Sequence, residues 1–594
     1  MRSRGNPDEG GGTTKIFDFG LLGRIAPFAV PQRGPLVVSL ILLPLVAGGQ
    51  LIQPYLIKVA IDGPIADGDV AGLLPVALAL LVALVGLYSV QLVQSYSMHL
   101  AGQGIVHELR VAVHEHLLTL HDRYFRRHPA GKLLTRCTSD VEGIGEMFAS
   151  GFLTLFADLV LLAGICVALV LLNWRLALVT FVTLPVLIGV SRWFQTRLRG
   201  AYREIRRRVA VLNAELQEKI SGIRVIQLFA REERANADFE RSSRTLMDEN
   251  LRSIKLDASL FAFVDSMGSL VAALLIWWAA EPVMEGALTL GALVAFLDYV
   301  QRFFVPIRDL SQKVATMQSG LASAERVFAL LDEREQIPVV EQPYTPSEVR
   351  GAIRFDDVRF AYVPEEPVLR GLNLEVEAGE RVALVGVTGA GKSTLLRLLN
   401  RTYDADDGTV SIDGHDVLEW SPARLRSSVG MVLQDVFLFR GTIRDNLALG
   451  DSNLSDEQLA EALQLVGAES ILARLGGLDG VLGERGGNLS AGERQLIAFA
   501  RVMAHEPSVL VLDEATSNVD TFSEERIQQA IAVALKGRTA LVVAHRLSTI
   551  QEVDRIAVLH RGRLAEIGTH DELLKEDGLY RRLHEQYFAG ADAA

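Results

Sequence analysis

Six stretches of the chain are almost continuously apolar, with few charges: residues 34–57, 70–98, 151–172, 176–191, 258–280 and 286–301. A helix needs about 20 such residues to cross a bilayer core. The pattern therefore predicts six membrane-spanning helices. The fourth stretch is short, but Trp193 can sit at the interface beside it, and flanking arginines can bury their stems while their heads reach water. No signal peptide precedes the first stretch. Residues 1–14, "MRSRGNPDEGGGTT", are Gly-rich and polar and read as disordered.

The texture changes after Pro306. Residues 307–340 read as a charged amphipathic helix that leads into a polar linker. From Gly351 onward, short β-rich runs alternate with helical patterns. "RVALVGV" (381–387), "SVLVLDE" (508–514) and "TALVVAH" (539–545) are apolar runs of the kind that form buried parallel strands. The expected organisation is a disordered start (1–14), a transmembrane domain (15–325), a linker (326–350) and an α/β domain (351–594).

Charge sets the expected orientation. The segments at 99–150 and 192–255 are long and rich in arginine, whereas "DGPIADGD", "NWR" and "EPVMEG" are short and acidic or nearly neutral. The positive-inside rule puts the long segments and both termini of a multi-pass protein in the cytoplasm; the inner (plasma) membrane is what the family resemblance given below implies. The net charge of −13 thus joins a basic membrane-proximal part to an acidic C-terminal part, which gives no support to nucleic-acid binding. Two cysteines, Cys137 and Cys166, imply neither a disulfide framework nor a metal site.

Chemistry concentrates in the α/β part. "GVTGAGKST" fits the phosphate-binding pattern G-x-x-x-x-G-K-[ST] between a strand and a helix. Gly386, Thr388, Gly389, Ala390 and Gly391 would present backbone amides to phosphate oxygens, and the helix N-terminus adds its dipole. Lys392 would reach the β- and γ-phosphates, the Ser393 hydroxyl would bind Mg²⁺, and Thr394 completes the loop. In "VLVLDEATSNVD", Asp513 ends a strand where it can hold Mg²⁺ through water. Glu514 can orient or deprotonate an attacking water; alternatively, the two carboxylates cap the next helix. His545, Gln434 and Tyr362 are weak signals singly: a strand-end histidine, a loop glutamine, and a tyrosine that either stacks on adenine or belongs to the core.

In that order, with "GERGGNLSAGERQ" (483–495) and "SNVD" (517–520), these motifs resemble the nucleotide-binding domain of ABC transporters. The six spans, with "HPAGKLLTRCTSDVE" (128–142), "ISGIRVIQLFARE" (220–232) and "YVQRFFVPIRDL" (299–310), resemble an ABC exporter half-transporter. The resemblance implies an α-helical six-span transmembrane domain plus an α/β P-loop NTPase domain that binds ATP and Mg²⁺. Tyr362 would stack on adenine. Gln434 would contact Mg²⁺ and the lytic water, and His545 the γ-phosphate. Ser490, Gly492 and Asp520 would line the nucleotide site. Each ATP would lie between the P-loop of one copy and the signature turn of another. Segments near 123–129 and 222–228 would be coupling helices.

The family's signature is usually LSGGQ; here it reads Leu489-Ser490-Ala491-Gly492-Glu493. Ser490 and Glu493 fit a capping box. Ala491 is harder to explain, because a methyl restricts close approach and positive φ at an anion-binding turn. In the family, this combination of a complete hydrolytic set and an altered signature recurs in one half of heterodimeric exporters. A non-identical partner with a degenerate catalytic site is therefore implied.

Asp158, Asp265 and Asp298 fall inside apolar runs, and such charges face a cavity or a partner. They read as a cation-favouring substrate cavity, as interhelical pairs, for example with Arg302, or as positions nearer the interface than these span boundaries place them. His107, His114, His121 and His128 recur every seven residues and are spaced too far apart along a helix for a shared metal. They read as a solvated face, with pH sensing as the alternative. The chain is thus expected to drive export of small amphipathic compounds, lipids or peptides with ATP. An importer on the same scaffold and an ATP-regulated channel are the alternatives.

Overall fold

The computed structural model describes residues 19–338, 340–513, 521–544 and 550–587. The chain divides into two units. One takes Met1–Leu118 and His128–Glu333, the other Thr119–Arg127 and Arg334–Ala594.

Six long helices build the first unit: α1 (Gly20–Ile65), α2 (Val70–Thr119), α3 (Ala130–Leu172), α4 (Trp174–Ser221), α5 (Glu232–Met284) and α6 (Leu290–Leu331). The six expected spans lie within them, save for the first residues of the last, and each helix is far longer than its apolar run. At 42 to 53 residues, they extend about 63–80 Å, at least twice a hydrocarbon core. Apolar side chains such as Val82, Leu92, Val182 and Trp277 stay exposed, as lipid-facing positions do.

Local chemistry fixes the helix starts. The Asn173 carboxamide oxygen accepts from the amides of Arg175 and Leu176 at 3.0 and 3.2 Å and caps α4, worth about 1 kcal/mol. Thr289 caps α6 through the Ala292 amide, and its hydroxyl donates to Asp62 at 2.6 Å. Pro306, where the sequence texture changes, lies inside α6 and does not end it. Proline in a helix interior costs about 3 kcal/mol. The buried Val300, Phe303 and Phe304 offset that cost by packing. Where α2 meets α3, a Cβ on Gly102 or on Gly145 would stand 3.2 Å from the other's carbonyl oxygen, so only glycine permits this approach.

The charges inside the spans separate into three cases. Asp298 accepts from Arg302 at 3.1 Å, one turn on in the same helix, so the expected partner is right but the pair lies within α6 and not between helices. Asp158 on α3 pairs with Lys313 on α6, a partner that the apolar pattern does not reveal. Asp265 is exposed, and no ion pair involves it among the described residues. His107 and His114 are likewise exposed on α2. Among the described residues, no three or more His, Cys, Asp or Glu side chains come together to hold a metal.

The second unit holds two main sheets. The strands are β1 (Ile353–Ala361), β2 (Pro367–Val376), β3 (Arg381–Val385), β4 (Asp407–Ile412), β5 (His415–Asp416), β6 (Val429–Val432), β7 (Gly441–Thr442), β8 (Val481–Leu482), β9 (Val509–Asp513), β10 (Thr539–Val543), β11 (Arg555–His560) and β12 (Arg563–Gly568). An antiparallel sheet runs β2-β1-β4-β5, and a six-stranded sheet runs β12-β11-β3-β10-β9-β6. The latter is parallel except at its β12 edge. β3, β9 and β10 are the three apolar runs read from the sequence. Their near-continuous burial explains why they do not alternate. The polar segment ahead of β1 is pinned: Tyr344 stacks on His415 at 3.9 Å, and Arg401 donates to the Pro338 carbonyl at 2.6 Å.

Asp158 and Lys313 are about one-fifth exposed, so removing either partner should destabilise by about 1–3 kcal/mol, below the loss for a fully buried pair. Asp158→Asn and Lys313→Met should each lower the melting temperature of the detergent-solubilised protein. Asp158→Leu with Lys313→Met should recover most of the loss. A double variant whose losses simply add would show that the pair is not coupled.

Candidate nucleotide site

The parallel register places the phosphate loop. β10 pairs with β3 on one side and β9 on the other, so the carboxyl ends of all three strands emerge at one edge of the sheet. That edge is where α/β sheets hold ligands. The loop after β3 leads into α7 (Lys392–Leu399). Gly386, Gly389 and Gly391 have φ of 155, 84 and 106°. A Cβ on Gly391 would also meet the Leu369 side chain at 2.7 Å. Nothing lies within 4 Å of a Cβ at Gly389, so its glycine is required by conformation alone and leaves the approach to the loop open.

Thr388 is exposed in this loop and Ala390 is buried beneath it. Lys392 is 7% exposed, and its ammonium donates to the Gly386 carbonyl at 2.5 Å and to that of Val387 at 3.4 Å. The cation is thus folded back over the loop's own carbonyls. The Ser393 hydroxyl donates to Asp513 at 3.1 Å, joining the starts and ends of elements 120 residues apart. Thr394 shares a hydrogen bond with the Tyr362 hydroxyl at 3.2 Å, and Arg397 donates to the same hydroxyl at 2.9 Å. Tyr362 is partly buried, with its ring edge-on to Phe360 and Tyr403, so it belongs to the core margin as well as to the loop's surroundings.

Gln434 is exposed and lines a groove of about 700 Å³ together with Asp513, Arg397, Arg501, Asp122 and Arg126. Of these, the sequence motifs mark Gln434 and Asp513, and Arg126 falls in a segment expected to be a coupling helix. Asp122 opens the short helix Asp122–Arg127. Its carboxylate accepts from Arg126 at 2.6 Å and from the Tyr403 hydroxyl at 3.1 Å. Burial alone would raise its pKa, but the Arg126 and Tyr403 bonds together hold it below the usual range. Burial lowers the pKa of His121, which meets Tyr403 edge-on at 4.9 Å. No motif in the sequence marked Tyr403. A second short helix occupies Ile223–Leu228, so both places named as coupling segments are helical.

The signature turn opens α9 (Ala491–Ala504). The Ser490 hydroxyl accepts from the Glu493 amide at 3.1 Å, and Glu493 accepts from the Ser490 amide at 2.8 Å, which is the expected capping box. The other Glu493 oxygen accepts from Arg474 at 2.6 Å. Burial would raise the Glu493 pKa, yet the Ser490 amide and the Arg474 guanidinium together hold it below the usual glutamate range. Gly492 is buried, and Ala491 is exposed in the first helical turn. Ala491 has no positive φ. The conformational half of the argument against alanine therefore does not apply, and only the steric half, a methyl in the path of an approaching anion, remains. Glu514, Asp520 and His545 lie outside the described residues.

The chain matches two family patterns: the ABC transporter transmembrane region over residues 36–307, and the ABC transporter family over residues 369–517. It is 34% identical over 567 residues to the ATP-dependent lipid A-core flippase of Syntrophus aciditrophicus (strain SB), spanning 95% of this chain and 94% of that protein. It is 37% identical over 498 residues to the probable multidrug resistance ABC transporter ATP-binding/permease protein YheH of Bacillus subtilis (strain 168), spanning 83% and 73%. Among solved structures, a bacterial Atm1-family ABC exporter with ATP bound is similar at a TM-score of 0.75 and 29% identity, spanning 93% of this chain and 98% of that one.

Loss of the Ser490 cap should cost about 1 kcal/mol. Hydrogen exchange of the first α9 amides in Ser490→Ala should quicken about fivefold at neutral pH. A depressed carboxylate stabilises the fold above its unfolded pKa and loses that effect as pH falls through the folded value. The Glu493 share of the protection should therefore fade below about pH 4.5. Unchanged exchange in Ser490→Ala would show that the cap does not hold the turn.

Proposed function

This chain belongs to the ABC transporters, an exporter-type half-transporter whose ATPase drives translocation, and from that premise we propose that it exports amphipathic small molecules or lipids as half of a dimer. The observation that carries the nucleotide chemistry is the Ser393–Asp513 bond beside a lysine-bearing glycine loop. A hydroxyl and a carboxylate, with the Gln434 amide in the same groove as Asp513, form the oxygen-donor set that suits Mg²⁺. When bound, the ion would neutralise charge on the β- and γ-phosphates.

In this reading Lys392 and the amides of residues 386–394 hold the phosphates. Ser393, Asp513 and Gln434 hold the metal, and Tyr362, anchored at Thr394 and Arg397, supports the adenine. Glu514 positions and deprotonates the water, and His545 steadies the γ-phosphate. Ser490, Gly492 and Asp520 meet a nucleotide held by the other copy. Both termini face the cytoplasm, and the relatives named for lipid A-core and for multidrug resistance support an amphipathic cargo. Glu514→Gln should keep ATP binding nearly intact and remove most steady-state hydrolysis, because positioning survives while the base is lost. Wild-type phosphate release in that variant would exclude Glu514 as the principal base. ATP-dependent loading of inside-out vesicles tests direction, and loading of right-side-out vesicles would instead indicate an importer.

We further propose a non-identical partner that supplies an unaltered signature to this chain's complete hydrolytic set. Copurification with a second half-transporter, one without glutamate after its strand-end aspartate, should raise ATPase well above that of the chain alone. One observation favours a second reading. Ala491 sits in ordinary helical geometry and Glu493 is fully engaged in its cap, so a symmetric dimer can tolerate this spelling. A stable, fully active complex of the chain with itself would select that reading.

A further inference from the structure

The altered signature puts a carboxylate in the first turn of a helix whose N-terminus would face a triphosphate. The positive end of α9 suits Glu493 as a cap. An uncompensated negative charge there would oppose a bound polyphosphate. The surroundings of Glu493 contain the compensation. One oxygen is held by the Ser490 amide at 2.8 Å and the other by Arg474 Nη2 at 2.6 Å, so the carboxylate is turned back onto the turn and sideways onto a cation.

Arg474 comes from the last turn of α8 (Glu469–Leu475), where the helix C-terminus favours a cation. Gly476 and Gly477, with φ of 87 and 95°, end the helix directly after it. Ile471, one turn earlier, is fully buried and anchors α8 to the core around Leu496 and Phe499 of α9. Two elements fixed in one core therefore present opposite charges to each other. The side chains are 47% and 25% exposed, so the pair is open enough to act on a neighbouring ligand.

We propose that Arg474 is the counter-ion of the signature turn: it neutralises Glu493 so that the glutamate can cap α9 without repelling the γ-phosphate of ATP. This makes Arg474 a positioning residue that acts through Glu493. The inference rests on the reading that the Ser490 turn faces a nucleotide.

The test uses the full-length transporter in its dimeric form. Arg474→Gln should raise the half-saturating ATP concentration by about two- to fivefold, the size of one partly exposed charge pair, with kcat changing less. That half-saturating concentration is read as ATP-dependent cross-linking between this signature and the P-loop of the other copy. ADP affinity should move less, because ADP lacks the γ-phosphate. The ATP effect should shrink with added salt. Arg474→Lys should behave like wild type. Glu493→Gln in the Arg474→Gln background should restore ATP affinity, since glutamine keeps the capping box and removes the charge. An Arg474→Gln variant with wild-type half-saturation at low salt would overturn the proposal, as would a double variant as impaired as the single. Ser490→Arg tests the underlying reading separately. Unchanged ATP-dependent cross-linking in Ser490→Arg would show that the turn does not face nucleotide, whereas loss there beside a silent Arg474→Gln would overturn only the counter-ion.

Discussion

The parallel pairing of β3, β10 and β9 is the constraint on which the nucleotide site depends. Parallel strands end together, so a loop after residue 385 and a carboxylate at residue 513 meet although 120 residues separate Ser393 from Asp513. The bond between those two side chains is short-range chemistry made possible by long-range register. A slip of one residue would turn Asp513 to the other face of the sheet. The glycine loop and the capped α9 are local features that would form in many sequences. Their value here comes from the sheet that places the loop beside the acid.

Much of this was legible in the sequence, for physical reasons that can be named. Six apolar runs, a strand–loop–helix with three positive-φ glycines before its lysine, and Ser490 with Glu493 three residues on all carry their structure in short range. Long-range partners were not legible. Lys313 lies beyond the apolar stretch that holds Asp298, so nothing local ties it to Asp158 on another helix. Tyr403 follows α7 in an unremarked "RTYDADDG", yet its hydroxyl meets Asp122, 281 residues earlier. Arg474 is one charge among many until the fold sets it 2.6 Å from Glu493. The argument from glycine at position 491 failed in part because helical N1 geometry suits any L residue.

Charge placement follows one rule in both units. Carboxylates in costly surroundings are paired within reach: Asp158 with Lys313, Asp298 with Arg302, Asp122 with Arg126 and Tyr403, Glu493 with Arg474. Isolated carboxylates such as Asp265 stay exposed. In α5 that residue lies inside the apolar run 258–280, seven positions from its start, about 10 Å along the axis.

The length of the membrane helices has a mechanical consequence. α2 is a single rod of 50 residues, about 75 Å long, of which only about 30 Å can lie in hydrocarbon. A tilt of about 5° about one end would carry the other end through about 6 Å, more than the 5.4 Å pitch of a helical turn. Such a rod acts as a lever, turning a small angular change in the bilayer into a displacement large enough to exchange one set of side-chain contacts for the next.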